Sequence, residues 1–317
     1  MKAEKWMQNG LIVFGLTMVC CLLWGSAFPC VKIGYQLFDI KTGDTFTQIT
    51  FGGIRFFLAG IFTLLLGSLM KKKWLVPAKR SILMIGKLGL LQTTLQYVLF
   101  NIGLARTTGV KASIIEASNV FVAILTASLI FHQEKLTFRK TAGCIVGFAG
   151  VVIINLNGSG LDFHFSLLGE GFILCSTVAY AFSSALTKRY SKTENPVMLC
   201  AYQFLFGGAV MTGIGILGGG RLTVISPKGI AMLIYLALLS AVAFSLWGIL
   251  LKYNPVSRVS VYGFMNPVFG VILSALLLKE KNDALEAGRA VIALLLVTIG
   301  ILIVNGNVRK KENVIKY

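Results

Sequence analysis

Along the 317 residues, long apolar stretches alternate with short polar links. A helix rises about 1.5 Å per residue and a bilayer core is about 30 Å thick, so roughly 20 apolar residues cross it. Ten stretches reach that length, near 11–34, 47–69, 81–103, 112–132, 140–156, 166–187, 197–218, 229–251, 258–278 and 286–306. A soluble α/β protein would scatter charge along every amphipathic element. Here 56% of residues are hydrophobic, only 13% are charged, and the charges gather between the stretches. The pattern predicts an all-α integral membrane protein with ten transmembrane helices.

The two halves of the chain resemble each other. Gly150-Val-Val-Ile-Ile-Asn155 closes the fifth stretch and Gly300-Ile-Leu-Ile-Val-Asn305 the tenth. Glu134-Lys135 ends the fourth and Glu280-Lys281 the ninth; Trp24 precedes Lys32 by eight residues, as Tyr180 precedes Lys188. Leu104 and Leu251 stand at the same distance from Asn119 and Asn266. Two repeats are expected, residues 11–156 and 166–306. Five spans per repeat is an odd number, so the second enters the membrane from the opposite face. Such a 5+5 inverted-topology repeat places a substrate site near the midplane between the halves.

The formal charge of +18 would suggest nucleic acid for a soluble protein, but its distribution speaks to the membrane. Nineteen basic residues sit on one set of links and tails, including Lys71–Lys73, Lys79, Arg80, Lys135, Lys188, Arg189 and Arg309–Lys311. Eight sit on the opposite set, among them Lys41, Arg106, Lys111 and Arg221. By the positive-inside rule both termini are cytoplasmic, in the inner or plasma membrane. The basic side also suits anionic lipid heads. No nucleic-acid partner is expected, and a homodimer is compatible with the pattern. The links are too short for a soluble catalytic domain, and no G-x-x-x-x-G-K-[ST] cradle occurs.

Six cysteines (Cys20, Cys21, Cys30, Cys144, Cys175, Cys200) all fall inside apolar stretches without a C-x-x-C pair, and His132 and His164 are the only histidines. They read as small apolar fillers, so no metal and no cofactor is expected. The first stretch is too long for a signal peptide and lacks an A-x-A-like site, so it is expected to be retained. Gly143, Gly147 and Gly150 make one side of the fifth stretch smooth, which suits close helix packing.

Leu22-Leu-Trp24-Gly25-Ser26-Ala-Phe28 with Lys32 resembles the first-span signature of the EamA-type proteins of the drug/metabolite transporter superfamily. So do Gln96-Tyr97 with Leu104, Asn266-Pro267-Val-Phe, and Glu134 and Glu280 at the ends of the fourth and ninth stretches. The resemblance covers about residues 11–306. It implies ten helices in an inverted repeat, termini inside, and export or exchange of small metabolites. Two departures stand out: Asn119-Val120 occupies the place of a proline often found early in the fourth span, and about four extra residues lie between Glu280 and Ala293.

Several polar residues sit where lipid would penalise them. Glu116, near the start of the fourth stretch, costs a few kcal/mol at depth unless partnered or facing water. Held away from water, it suits a coupling proton or a substrate amine; at the interface, five residues from Lys111, it would be ordinary. Arg55 could take a substrate carboxylate in bidentate fashion, or snorkel to head groups. Gln92, Gln96 and Tyr97 on the third stretch either line a polar cavity or bond neighbouring helices. Tyr262 and Asn266 on the ninth are four apart, and Pro267 frees a backbone carbonyl. Lys32 reads as an interfacial anchor; Glu134 and Glu280 as solvated helix-end ion pairs or as gate contacts.

These residues predict a secondary transporter, moving a small organic metabolite such as an amino acid, amine or nucleoside-like compound outward by alternating access, coupled to protons through Glu116. Import of the same class is the alternative within transport. A membrane-embedded enzyme on lipid-linked substrates would need convergent His, Asp or Ser groups at one face, which the chain lacks.

Overall fold

The computed structural model describes residues 2–41, 43–104, 106, 107, 112, 115–154, 166–278 and 284–306. Every regular element among them is helical. A short α1 (Lys2–Gln8) precedes α2 (Gly10–Leu37), α3 (Thr45–Lys71), α4 (Ser81–Leu104), α5 (Ile115–Ile130) and α6 (Phe138–Ile154). Then come α7 (Leu167–Tyr190), α8 (Pro196–Leu217) and α9 (Pro227–Tyr253). Next, α10 (Val256–Ser260) runs through a 3-10 turn (Val261–Phe264) into α11 (Met265–Leu278), and α12 (Ala284–Asn305) follows.

Six of these, α2, α3, α4, α7, α8 and α9, are long and apolar enough to cross a membrane alone, and α5 and the Val291–Asn305 part of α12 are shorter apolar helices. Asn155, Glu280, Lys281, His164 and the basic tail Arg309–Lys316 lie outside the described residues.

Helix starts follow from local sequence. The Asn9 carboxamide oxygen accepts from Leu11 N and the Asp44 carboxylate from Thr47 N. Asn195-Pro196 and Ser226-Pro227 open α8 and α9 with a side-chain cap followed by a proline whose missing N–H is not needed there. Lys72 ends α3 in the left-handed region, φ 53°, its N–H returning to Leu69 O and Ser68 O.

The outside of the bundle is apolar: Phe14, Val19, Leu66, Leu69, Leu129, Ile130, Leu217, Leu276 and Leu302 are exposed. The inside holds hydroxyls and glycines among its apolar side chains, with Thr17, Thr63, Thr93, Ser176, Ser183 and Ser240 buried. Small residues suit a lipid solvent, which gives no hydrophobic drive between helices, because they let backbones touch. A Cβ on Gly53 of α3 would come within 2.5 Å of Thr212 N, and one on Gly208 of α8 within 2.5 Å of Phe57 N. The smooth face expected on α6 does the same against α12, where a Cβ on Gly300 would lie 2.5 Å from Gly143 O. Helix α2 packs on α9 and α11, α7 packs on α4 and α5, α3 on α8, and α6 on α12. Every one of these pairings joins the first half of the chain to the second.

Candidate functional site

Arg55 sits halfway along α3, on the face that also buries Phe51, Phe56 and Ala59. It is 8% exposed, too deep to snorkel to head groups. Its Nε and Nη2 donate to Ser240 Oγ of α9 at 3.2 and 2.9 Å, and the guanidinium lies 5.1 Å from the Phe56 ring centre. Ser240 in turn donates to Leu236 O at 2.9 Å, so one hydroxyl both anchors itself and receives the arginine. Among the described residues no carboxylate pairs with Arg55. A buried cation normally faces an anion or carbonyls; this one has a neutral hydroxyl and an aromatic face.

Tyr97 of α4 continues the cluster. Its ring centre is 4.4 Å from that of Phe56, the ring against which the Arg55 guanidinium also lies. Beyond Phe56 the aromatic surface runs through Phe244 to Trp24, ring centres 5.1 Å apart, and from Trp24 to Trp247 at 4.9 Å. The indole Nε1 of Trp24, Gln96 Oε1 and Asn266 Oδ1 are buried without a hydrogen-bond partner. Orphaned polar groups in a native interior call for an explanation, and a missing ligand is one.

Of the residues the sequence points to, the structure packs Arg55 and Tyr97 on one ring, Phe56, while Glu116 stands half-buried at the start of α5. Gln92 is occupied elsewhere. It sits in a π-helical turn of α4, Gly89–Leu95, where its Oε1 accepts from Gln203 Nε2 of α8 at 2.8 Å. That turn presses on the glycines of α8, with Thr94 Oγ1 donating to Gly207 O at 3.1 Å. Beside the glutamine pair, Thr187, Cys200 and Trp247 line a crevice with room for about one water molecule. Tyr262 packs edge-on against Phe14, ring centres 6.1 Å apart, within a different apolar cluster from Phe56. Ser240, Trp247 and Phe244 were not singled out from sequence. A serine and two aromatics inside an apolar helix carry no periodic signal of their own.

One end of the bundle is tied by polar contacts. Lys188 Nζ at the end of α7 donates to Leu251 O at 3.1 Å and to Asn254 O. Glu134, just past α5, accepts from Ser257 N at 2.8 Å and Ser257 Oγ at 2.5 Å and pairs with Lys140 at 2.8 Å. It is thus no solvated pair with Lys135 but a bridge from α5 to the start of α10. Gln133 donates to Ala185 O, and Asn254 Nδ2 to Met7 O of α1. Lys32, which matches Lys188 in the first half, is exposed. Cys175 is exposed while the other five cysteines are buried, so it fills no interior space.

The profile of the EamA-like transporter family matches twice, over residues 11–156 and 167–306. The chain belongs to this family. An uncharacterized transporter of Archaeoglobus fulgidus is 30% identical over 282 residues, covering 87% of this chain and 91% of its own. The uncharacterized inner membrane transporter YedA of Escherichia coli K12 is 26% identical over 297 residues, covering 92% of each chain. A solved crystal structure superposes with a TM-score of 0.77 over 96% of this chain and 100% of its own; at 16% identity that likeness speaks to the fold alone. As an EamA-like protein the chain is a multi-pass membrane transporter rather than an enzyme.

Proposed function

We propose that the chain is a secondary transporter of ten transmembrane helices, built as inverted five-helix repeats over residues 11–156 and 166–306, with both termini cytoplasmic. It moves a small organic metabolite outward by alternating access, coupled to protons through Glu116. The observation that carries this reading is Arg55, buried halfway along α3 and held by Ser240 from the other half, with Tyr97 packed on the same Phe56 ring. The packing scheme supports the repeat. Span 1 (α2) touches spans 8 and 9, as span 6 (α7) touches spans 3 and 4, which is the same pair of contacts with the halves exchanged.

The ties at Lys188, Glu134 and Gln133 close the cytoplasmic mouth, and the exposed Lys32 leaves its counterpart unengaged. In a protein retaining Cys200 as its single cysteine, Glu134→Gln should raise the labelling rate of Cys200 by a permeant maleimide several-fold, since Cys200 lines the crevice behind these ties. Unchanged labelling would show that Glu134 closes nothing. A cysteine at Lys72, in a background lacking the native cysteines, should resist an impermeant thiol reagent added outside; strong external labelling would overturn the topology.

The function itself is tested by a growth-tolerance screen of overexpressing cells over amino acids, nucleosides and amines, followed by flux of each positive compound in proteoliposomes. A compound that is tolerated better and moved by the purified protein supports export. Uptake that raises sensitivity instead would establish import.

A further inference from the structure

We infer that the substrate of this site is an organic anion: a carboxylate seated on Arg55, with an apolar body against the half-buried rings of Trp24 and Tyr97. The inference rests on the transporter reading and adds the chemistry of what is carried. Three observations converge on it. The guanidinium is buried and has no carboxylate partner among the described residues, only Ser240 Oγ. Its fork already spends Nε and Nη2 on one oxygen, which holds the plane still while leaving Nη1 for an incoming carboxylate. The unpartnered buried group on the adjoining aromatic cluster, Trp24 Nε1, is a donor that cannot accept, so it too wants a ligand rich in acceptors.

The body of the ligand follows from what surrounds that donor. Phe56, Phe204 and Phe244 form one packed apolar cluster, against which Trp24 and Tyr97 lie half-buried. The partly open rings of Trp24 and Tyr97 suit an apolar ligand body, whereas a polyhydroxylated or multiply charged ligand would leave its polar groups unmatched. A simple amine is the rival, as a partner for Glu116. It would leave the guanidinium uncompensated.

The test uses the full-length protein purified in detergent, with benzoate as the anionic probe, benzamide as its neutral isostere and benzylamine as its cationic one. Binding is read by quenching of the tryptophan fluorescence and by the melting temperature. Benzoate should quench and stabilise, and the other two should do neither. Losing a charge-assisted bond should weaken benzoate about 10- to 100-fold in Arg55→Gln, with part of the loss recovered in Arg55→Lys. Arg55→Met removes a buried charge without leaving Ser240 unpaired, since Ser240 still donates to Leu236 O. It should therefore melt at or above the parent temperature while losing the benzoate response. A lower melting temperature would make Arg55 a structural strut and overturn the inference. Benzylamine stabilising where benzoate does not would also overturn it, yet leave the transporter standing. The transporter reading itself fails separately, if no compound found in the tolerance screen moves across proteoliposomes.

Discussion

Glu116→Gln in proteoliposomes should abolish the response of substrate flux to an imposed pH gradient while leaving counterflow at equal pH partly intact. The glutamine keeps the size and the hydrogen-bonding capacity of the side chain but can no longer gain and lose a proton. Glu116 stands half-buried at the start of α5, the helix that packs on α7 of the other half. Glu116→Asp, which keeps the acid one methylene shorter, should keep part of both the flux and its pH response. If Glu116→Gln transports at the parent rate with the parent pH profile, Glu116 is an interfacial residue and coupling lies elsewhere.

The sequence displays the spans and their order because lipid demands long uninterrupted apolar runs, and caps such as Asn195-Pro196 and Ser226-Pro227 mark where two of them begin. It also exposes Arg55 and Glu116, since a charge inside such a run stands out against its neighbours. What it hides is which face each polar residue presents. With apolar residues all round each helix, no amphipathic stripe tells cavity from helix contact. Gln92 and Gln96, four residues apart, looked equivalent. In the structure a π turn intervenes and Gln92 is taken by Gln203, while Gln96 keeps an unpartnered Oε1. Tyr262 and Asn266 likewise part ways, the first edge-on against Phe14 and the second with an unpartnered Oδ1. Ser240 escaped notice because a hydroxyl in a membrane helix usually bonds its own backbone, as this one also does. Its second role is set by α3, 185 residues away in the chain.

The scaffold beneath the site gives the other large expected effect. Gly208→Val should destabilise the protein by about 3 kcal/mol or more, beyond the 1–3 kcal/mol usual for an overpacked core. The reason is that the obstacle is main chain. A Cβ at Gly208 would meet Phe57 N at 2.5 Å and Gly53 O at 2.9 Å, and main chain cannot rotate aside as a side chain can. Relief requires α3 and α8 to separate, which would displace Arg55 and Phe56 on the opposing helix and forfeit the contacts along Gly53, Gly60 and Gly215. The signature is a fall in melting temperature and in monodisperse yield on size-exclusion in detergent, with any surviving protein losing the benzoate response as well. Gly213→Ala is the control five residues along the same helix, where a Cβ meets nothing within 4 Å. With no clash to oppose it, the better helix propensity of alanine, up to about 1 kcal/mol, should leave stability equal or higher. Equal melting of Gly208→Val and the parent would mean that α3 and α8 do not meet backbone to backbone, and the placement of Arg55 against Ser240 would fall with that contact.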